Sequence, residues 1–166
     1  MRDLPILEAL GKAYRKYVAK IEDAHEWQRL TGAAIWHRQA GDFDAAISAM
    51  LKAIDLTKAV PKLSEQTAIS LNYLADLYLL EGAISQAEET IREAIAQSRD
   101  RYPLLLAANL WILAGIQLQE NEFDEALESA EKARNLYQQR AHSYGIGQTE
   151  ELIAKIAVRR SGSVGI

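Results

Sequence analysis

The side chains able to do acid–base or metal chemistry are few and scattered. His25, His37 and His142 are the three imidazoles in 166 residues. None stands four positions from another, and none sits in an H-E-x-x-H stretch, the spacing that sets two imidazoles over a zinc ion. They read as helix-surface or packing histidines, and no metal is expected. Carboxylates gather at Glu120, Glu122, Asp124, Glu125 and Glu128. Paired acids can pass protons to a substrate, but acids at a helix start have the simpler task of complementing its dipole. Gly145-x-Gly147 follows no strand, so it is no phosphate loop and is expected to hinge two helices. There is no cysteine, which removes disulfides and thiolate nucleophiles. Nothing here assembles a catalytic centre; a non-enzyme without cofactor is expected.

Composition narrows the class further. Apolar residues make up 49% and charged residues 25%, the balance of a globular domain. The net charge of −4 offers no basic face for nucleic acid. No apolar run reaches the roughly 18 residues of a membrane span, and the opening MRDLPILEALGKAYRKY is too interrupted by charge for a signal peptide. No membrane contact and a cytoplasmic location are expected.

Few breakers and many Ala, Leu, Glu, Gln and Lys favour helix throughout, and no run alternates as a strand would. Eight helices are expected. The first covers 3–21, with Leu4, Leu7, Leu10, Tyr14, Tyr17 and Ile21 in one stripe and Asp3 as cap. The second covers 24–40 and stops at Gly41. The third starts near Asp42 and ends before the Val60-Pro61 turn. The fourth covers 64–81. The fifth starts at Ser85, where Ser85 and Glu88 have capping-box spacing. The sixth covers 103–120, the seventh 121–140 and the eighth 149–159. The last residues, 161–166, are expected to be disordered.

Three stretches explain the arrangement. GDFDAAI (41–47), GAISQAE (82–88) and NEFDEAL (121–127) begin 41 and then 39 positions apart. Set in register, Ala46, Ala87 and Ala126 share a column, as do Ala53, Ala94 and Ala133. Upstream, Leu30, Leu71 and Leu110 align, and so do Ala34, Ala75 and Ala114. Phe43, Ile84 and Phe123 make a fifth column at the turn. Alanine facing alanine lets two helices approach closely; leucine supplies a knob between units. A fixed period of this kind marks stacked helical hairpins.

LNYLADLYLLEGAISQAEETIREAIAQS (71–98) carries the pattern best. Its Leu71, Leu74, Ala75, Tyr78, Gly82, Ala87, Ile91 and Ala94 resemble the motif of the tetratricopeptide repeat. The third unit, 110–133, has Gln117 in place of the tyrosine; the first has His37 for the tyrosine and Ala33 for the leucine. The period exceeds the family's usual 34 residues and looks like the longer repeats of kinesin light chain and of bacterial signalling proteins. The resemblance implies an all-α, right-handed α-α superhelix in one domain, 1–160. Repeats at 24–60, 64–100 and 103–140 would lie between capping helices at 3–21 and 149–159.

The resemblance also implies a concave groove lined by the first helix of each unit. Its positions fall here on Gln28, Thr31, Ile35 and Arg38, then Asn72, Asp76 and Leu79, then Trp111, Gly115 and Leu118. The family's clamp for peptide carboxylates would need Lys and Asn, then Asn, then Lys and Arg at these positions of the three units; only Asn72 fits, so that type of binding is not expected. The groove is expected to be polar at one end and apolar at the other. LLLAANLWILAGIQLQ (104–119) is apolar on nearly every side and must be covered. Trp111 would anchor a partner, or would be core beneath helix eight or a second copy; Trp27 and Trp36 are assigned to packing. The expected function is an adaptor that binds a protein or peptide segment with apolar anchors. The alternatives are a ligand- or peptide-sensing domain of a larger protein and a self-associating scaffold, such as a homodimer.

Overall fold

A computed structural model describes residues 4–99 and 101–163, with side chains over 21–60, 62–99 and 101–162. Seven α-helices follow one another among these residues: α1 Leu4–Gln39, α2 Phe43–Lys58, α3 Ser64–Glu81, α4 Ile84–Ser98, α5 Pro103–Gln119, α6 Phe123–Gln139 and α7 Ser143–Ser163. A single 3-10 turn, Pro61–Leu63, leads into α3. Helices α1 and α2, α3 and α4, and α5 and α6 form three hairpins. Each second helix also packs on the first helix of the next unit, and α7 continues the series by packing on α6 and touching α5. The molecule is an all-α solenoid.

The turns show why the repeat is written as it is. Gly41 and Gly82 both adopt φ +77°, and Asn121 adopts φ +63°. This left-handed conformation ends a helix most cheaply at glycine, with asparagine as second choice. The same two backbone bonds close each end. Gly82 N–H donates to Leu79 O (3.2 Å) and Ala83 N–H to Tyr78 O (2.9 Å). Gly41 and Asp42, and Asn121 and Glu122, repeat that pattern. So do Ala141 and His142 at the end of α6, although Ala141 must accept φ +50°.

All nine column alanines are at most 1% exposed. Leu30 and Leu71 are buried, while Leu110 is only half-buried, so the leucine column weakens in the third unit. Phe43, Ile84 and Phe123 open the three second helices and are half-buried.

Several boundaries differ from the sequence reading. The helices expected over 3–21 and 24–40 are one helix of 36 residues. The segment Ile21-Glu22-Asp23-Ala24 holds no glycine or proline, so nothing stops the ladder. The cap of Asp3 and the side chains of the first stripe up to Tyr17 lie outside the described residues. The box of Ser85 and Glu88 does not form: α4 starts at Ile84, and Ala83 caps it without a side-chain bond. By contrast, Asp42 caps α2 by accepting from Ala45 N–H at 3.1 Å. The last helix runs over 143–163 rather than 149–159. Residues 161–163 of the expected disordered tail are therefore helical, and 164–166 lie outside the described residues. Gly145 and Gly147 are helical, not a hinge. Gly145 is required by packing: a Cβ there would lie 2.6 Å from the Tyr137 ring. Trp36 does not pack into the core; it is 64% exposed.

Candidate functional site

The first helices α1, α3, α5 and α7 line one side of the solenoid, and two recesses open there. The first, about 270 Å³, is lined by Arg38 of α1, Asn72, Tyr73 and Asp76 of α3, and Trp111 of α5, with Gln148 of α7 closing one edge. It brings together four of the ten residues expected in the groove, and three helices supply them because the columns recur at one face of each. Arg38 Nη2–H donates to Asp76 Oδ2 at 2.8 Å. Arg38 Nε is buried and has no acceptor in the described chain. Burial raises the Asp76 carboxyl above its ordinary pKa, and the nearby Arg38 charge opposes this without cancelling it. Trp111 is half-buried, and its Nε1–H points at Gln148 O, 3.4 Å away. Helix α7 thus covers it in part.

The second recess, about 600 Å³ and more apolar, lies between α5 and α7. Gly115 and Leu118 line it with Ala154, Val158 and the stem of Lys155. Trp111, Gly115 and Leu118 follow one another by four and three residues, so they share one stripe of α5 and join the two recesses. Leu79 packs across Gly115, where a Cβ would sit 3.9 Å from Leu79 Cδ2.

Gln28, Thr31 and Ile35 line neither recess. Gln28 is exposed, Thr31 Oγ1–H turns back to Trp27 O at 2.9 Å, and Ile35 is exposed. They stand upstream of Arg38, the α1 residue that lines the first recess.

Ser70, Ser98 and Asn109, given no role above, tie neighbouring units together. Asn72 Nδ2–H donates to Asn109 Oδ1 at 2.7 Å, and Asn109 Nδ2–H donates to Ser98 Oγ at 2.9 Å. Asn109 and Ser98 are fully buried. Trp27 Nε1–H donates to Ser70 Oγ at 2.9 Å between α1 and α3. Ser70 and Asn109 each stand one residue before a column leucine, a recurrence visible in the sequence.

The histidines hold local structure. His142 stacks on Tyr137 and its Nδ1 accepts from Gly145 N–H at 3.1 Å. His37 lies edge-on to Trp36, with Nδ1 3.5 Å from Asp42 Oδ2. Among the described residues no cluster of His, Asp and Glu could hold a metal ion, and no helix is long and apolar enough to cross a membrane.

Residues 29–100, from the second half of α1 to the end of α4, match the family model of the tetratricopeptide repeat. No curated protein matches the sequence.

Proposed function

Because residues 29–100 match the tetratricopeptide repeat, and such repeats generally mediate protein–protein interactions, we propose that this chain is a non-catalytic interaction module of that family. It takes a partner's segment along the side lined by α1, α3, α5 and α7. One observation carries the reading: Arg38, Asn72, Asp76 and Trp111 meet in a recess that adjoins an apolar one on the same stripe of α5. A polar group of the segment would seat at Arg38 and Asp76, and apolar anchors beside Gly115, Leu118, Ala154 and Val158.

Three features support a segment as the occupant. The first recess, about 270 Å³, falls below the roughly 300–1,000 Å³ of usual small-ligand clefts, and it suits one inserted side chain. A buried N–H without an acceptor costs about 1–3 kcal/mol, so Arg38 Nε favours an incoming carbonyl or carboxamide oxygen. Asp76 already neutralises Arg38, which disfavours a carboxylate there.

Selection of short phage-displayed peptides on the wild-type chain, followed by calorimetry, tests the reading. The selected peptides should carry two or more apolar anchors. Ala154→Arg and Val158→Asp, both at exposed positions, should weaken them at least tenfold, about 1.4 kcal/mol, with helix content unchanged. Peptides that bind both variants as well as the wild type would move recognition elsewhere and sink the proposal.

A further inference from the structure

Helix α7 ends the described stack with one flank unpacked. Its inner residues Thr149, Leu152 and Ile156 are buried. Beside them Ile153, Ala157, Arg160 and Ser161 form, with Leu127 of α6, an open and mostly apolar groove of about 640 Å³. In the earlier units a second helix covers the first, α4 on α3 and α6 on α5. No described helix does this for α7.

The residues along that flank indicate what would fit it. Glu150, Ile153, Ala157 and Arg160 succeed one another by three, four and three positions, so they form one stripe. The stripe reads acid, large apolar, small apolar, base, and it is centred on position 155. Place a second α7 against it, antiparallel about a two-fold axis at that centre. Glu150 then faces Arg160 of the partner subunit, and Ile153 faces Ala157 of the partner subunit; the two-fold repeats both contacts. Opposite charges meet, and each large side chain meets a small one. A parallel pairing would instead set acid on acid and base on base, which is unfavourable.

We propose that this flank of α7 is a self-association surface, and that its occupant is α7 of a second copy packed antiparallel across a two-fold axis. A contact of this self-complementary kind closes at the dimer. Arg160 already lies 2.9 Å from Asp124 Oδ1 of α6, with both side chains at least half exposed. That pair holds the guanidinium at the rim of the groove, where Glu150 of the partner subunit supplies a second carboxylate. The surface lies on the α6 side of α7, away from the recess that α7 shares with α5. It does not depend on the segment-binding reading.

Light scattering or sedimentation equilibrium of the full chain over a hundredfold dilution tests the proposal. The wild type should show twice the chain mass of 18.5 kDa at the concentrated end. Arg160→Glu and Glu150→Arg each oppose like charges, and each should weaken the dimer at least tenfold. Both positions are exposed, so circular dichroism should be unchanged. The double exchange Glu150→Arg/Arg160→Glu restores opposite charges across the axis and should dimerise at least tenfold more tightly than either single variant. A wild type that is monomeric throughout would overturn the proposal. So would a dimer indifferent to Arg160→Glu, or a double variant no tighter than the singles.

Discussion

At Asp76 two effects oppose each other, and their balance has a sign that can be measured. Burial raises the carboxyl pKa, and the Arg38 guanidinium 2.8 Å away lowers it by less. The folded state therefore holds the proton more tightly than the unfolded state does. The stability that Asp76 contributes is fully present below the unfolded pKa, about 4, and declines as pH rises through the folded value. Asparagine does not titrate, and its carbonyl can still accept from Arg38. Asp76→Asn is expected to melt above the wild type at pH 7, with the gap closing as pH falls to about 3.5. Melting curves across that range decide it; a gap that widens toward acid would show that the Arg38 charge dominates. Asp76 was expected beside the groove because the resemblance to the tetratricopeptide repeat puts a groove position there. Its pairing with Arg38 was not legible, since the two residues stand 38 positions apart on different helices and no column couples them.

At the level of elements, helix ends were legible where a backbone conformation demands a residue type. Gly41, Gly82 and Asn121 mark three stops because φ near +60 to +80° selects for them. Ala141 does the same task at φ +50° with no such signature, and reading Gly145 and Gly147 as a hinge put the expected start of α7 six residues late. Gly145 was misread for a related reason: glycine signals either freedom or lack of room, and only the approach of Tyr137 distinguishes them. Gly145→Ala would drive a methyl into that ring and force α7 away from α6. A loss of about 1–3 kcal/mol is expected, read from chemical denaturation. Gly147→Ala, with no atom within 4 Å of its added methyl, should instead be neutral or stabilising, because alanine is the better helix former. If both behaved alike, the contact with Tyr137 would not be the reason for the glycine.

For the whole molecule, the period along the chain was enough to expect three stacked hairpins, because each column records a contact that the stack repeats. Positions outside the columns were less legible; Trp36 belongs to none of them, and no periodic signal marked its exposure. The core divides unevenly. One buried cluster runs from Leu30 through Leu71, Leu74 and Ile91 to Ile116. A smaller one joins Ala114, Leu118, Ala126 and Ala130 to Leu152 and Ile156. Stability in a solenoid is close to a sum over neighbours, so the smaller cluster should open first. Native-state hydrogen exchange is expected to show amides of α6 and α7 exchanging through a cheaper opening than those of α3 and α4. A single common opening energy would mean that the chain unfolds as one unit.

The seams between units carry a further consequence, for how such a chain can be lengthened or shortened. Trp27 meets Ser70 where the first unit joins the second, and Asn72 meets Asn109 where the second joins the third. Ser70 and Asn109 occupy one column, yet each is matched to a different partner. The units share a scaffold but not a key. A tandem copy of the second unit would set a serine where Asn72 needs an amide that reaches 2.7 Å, leaving a polar group without its bond. Repeats that look interchangeable along the chain are fixed in their order by these two pairs.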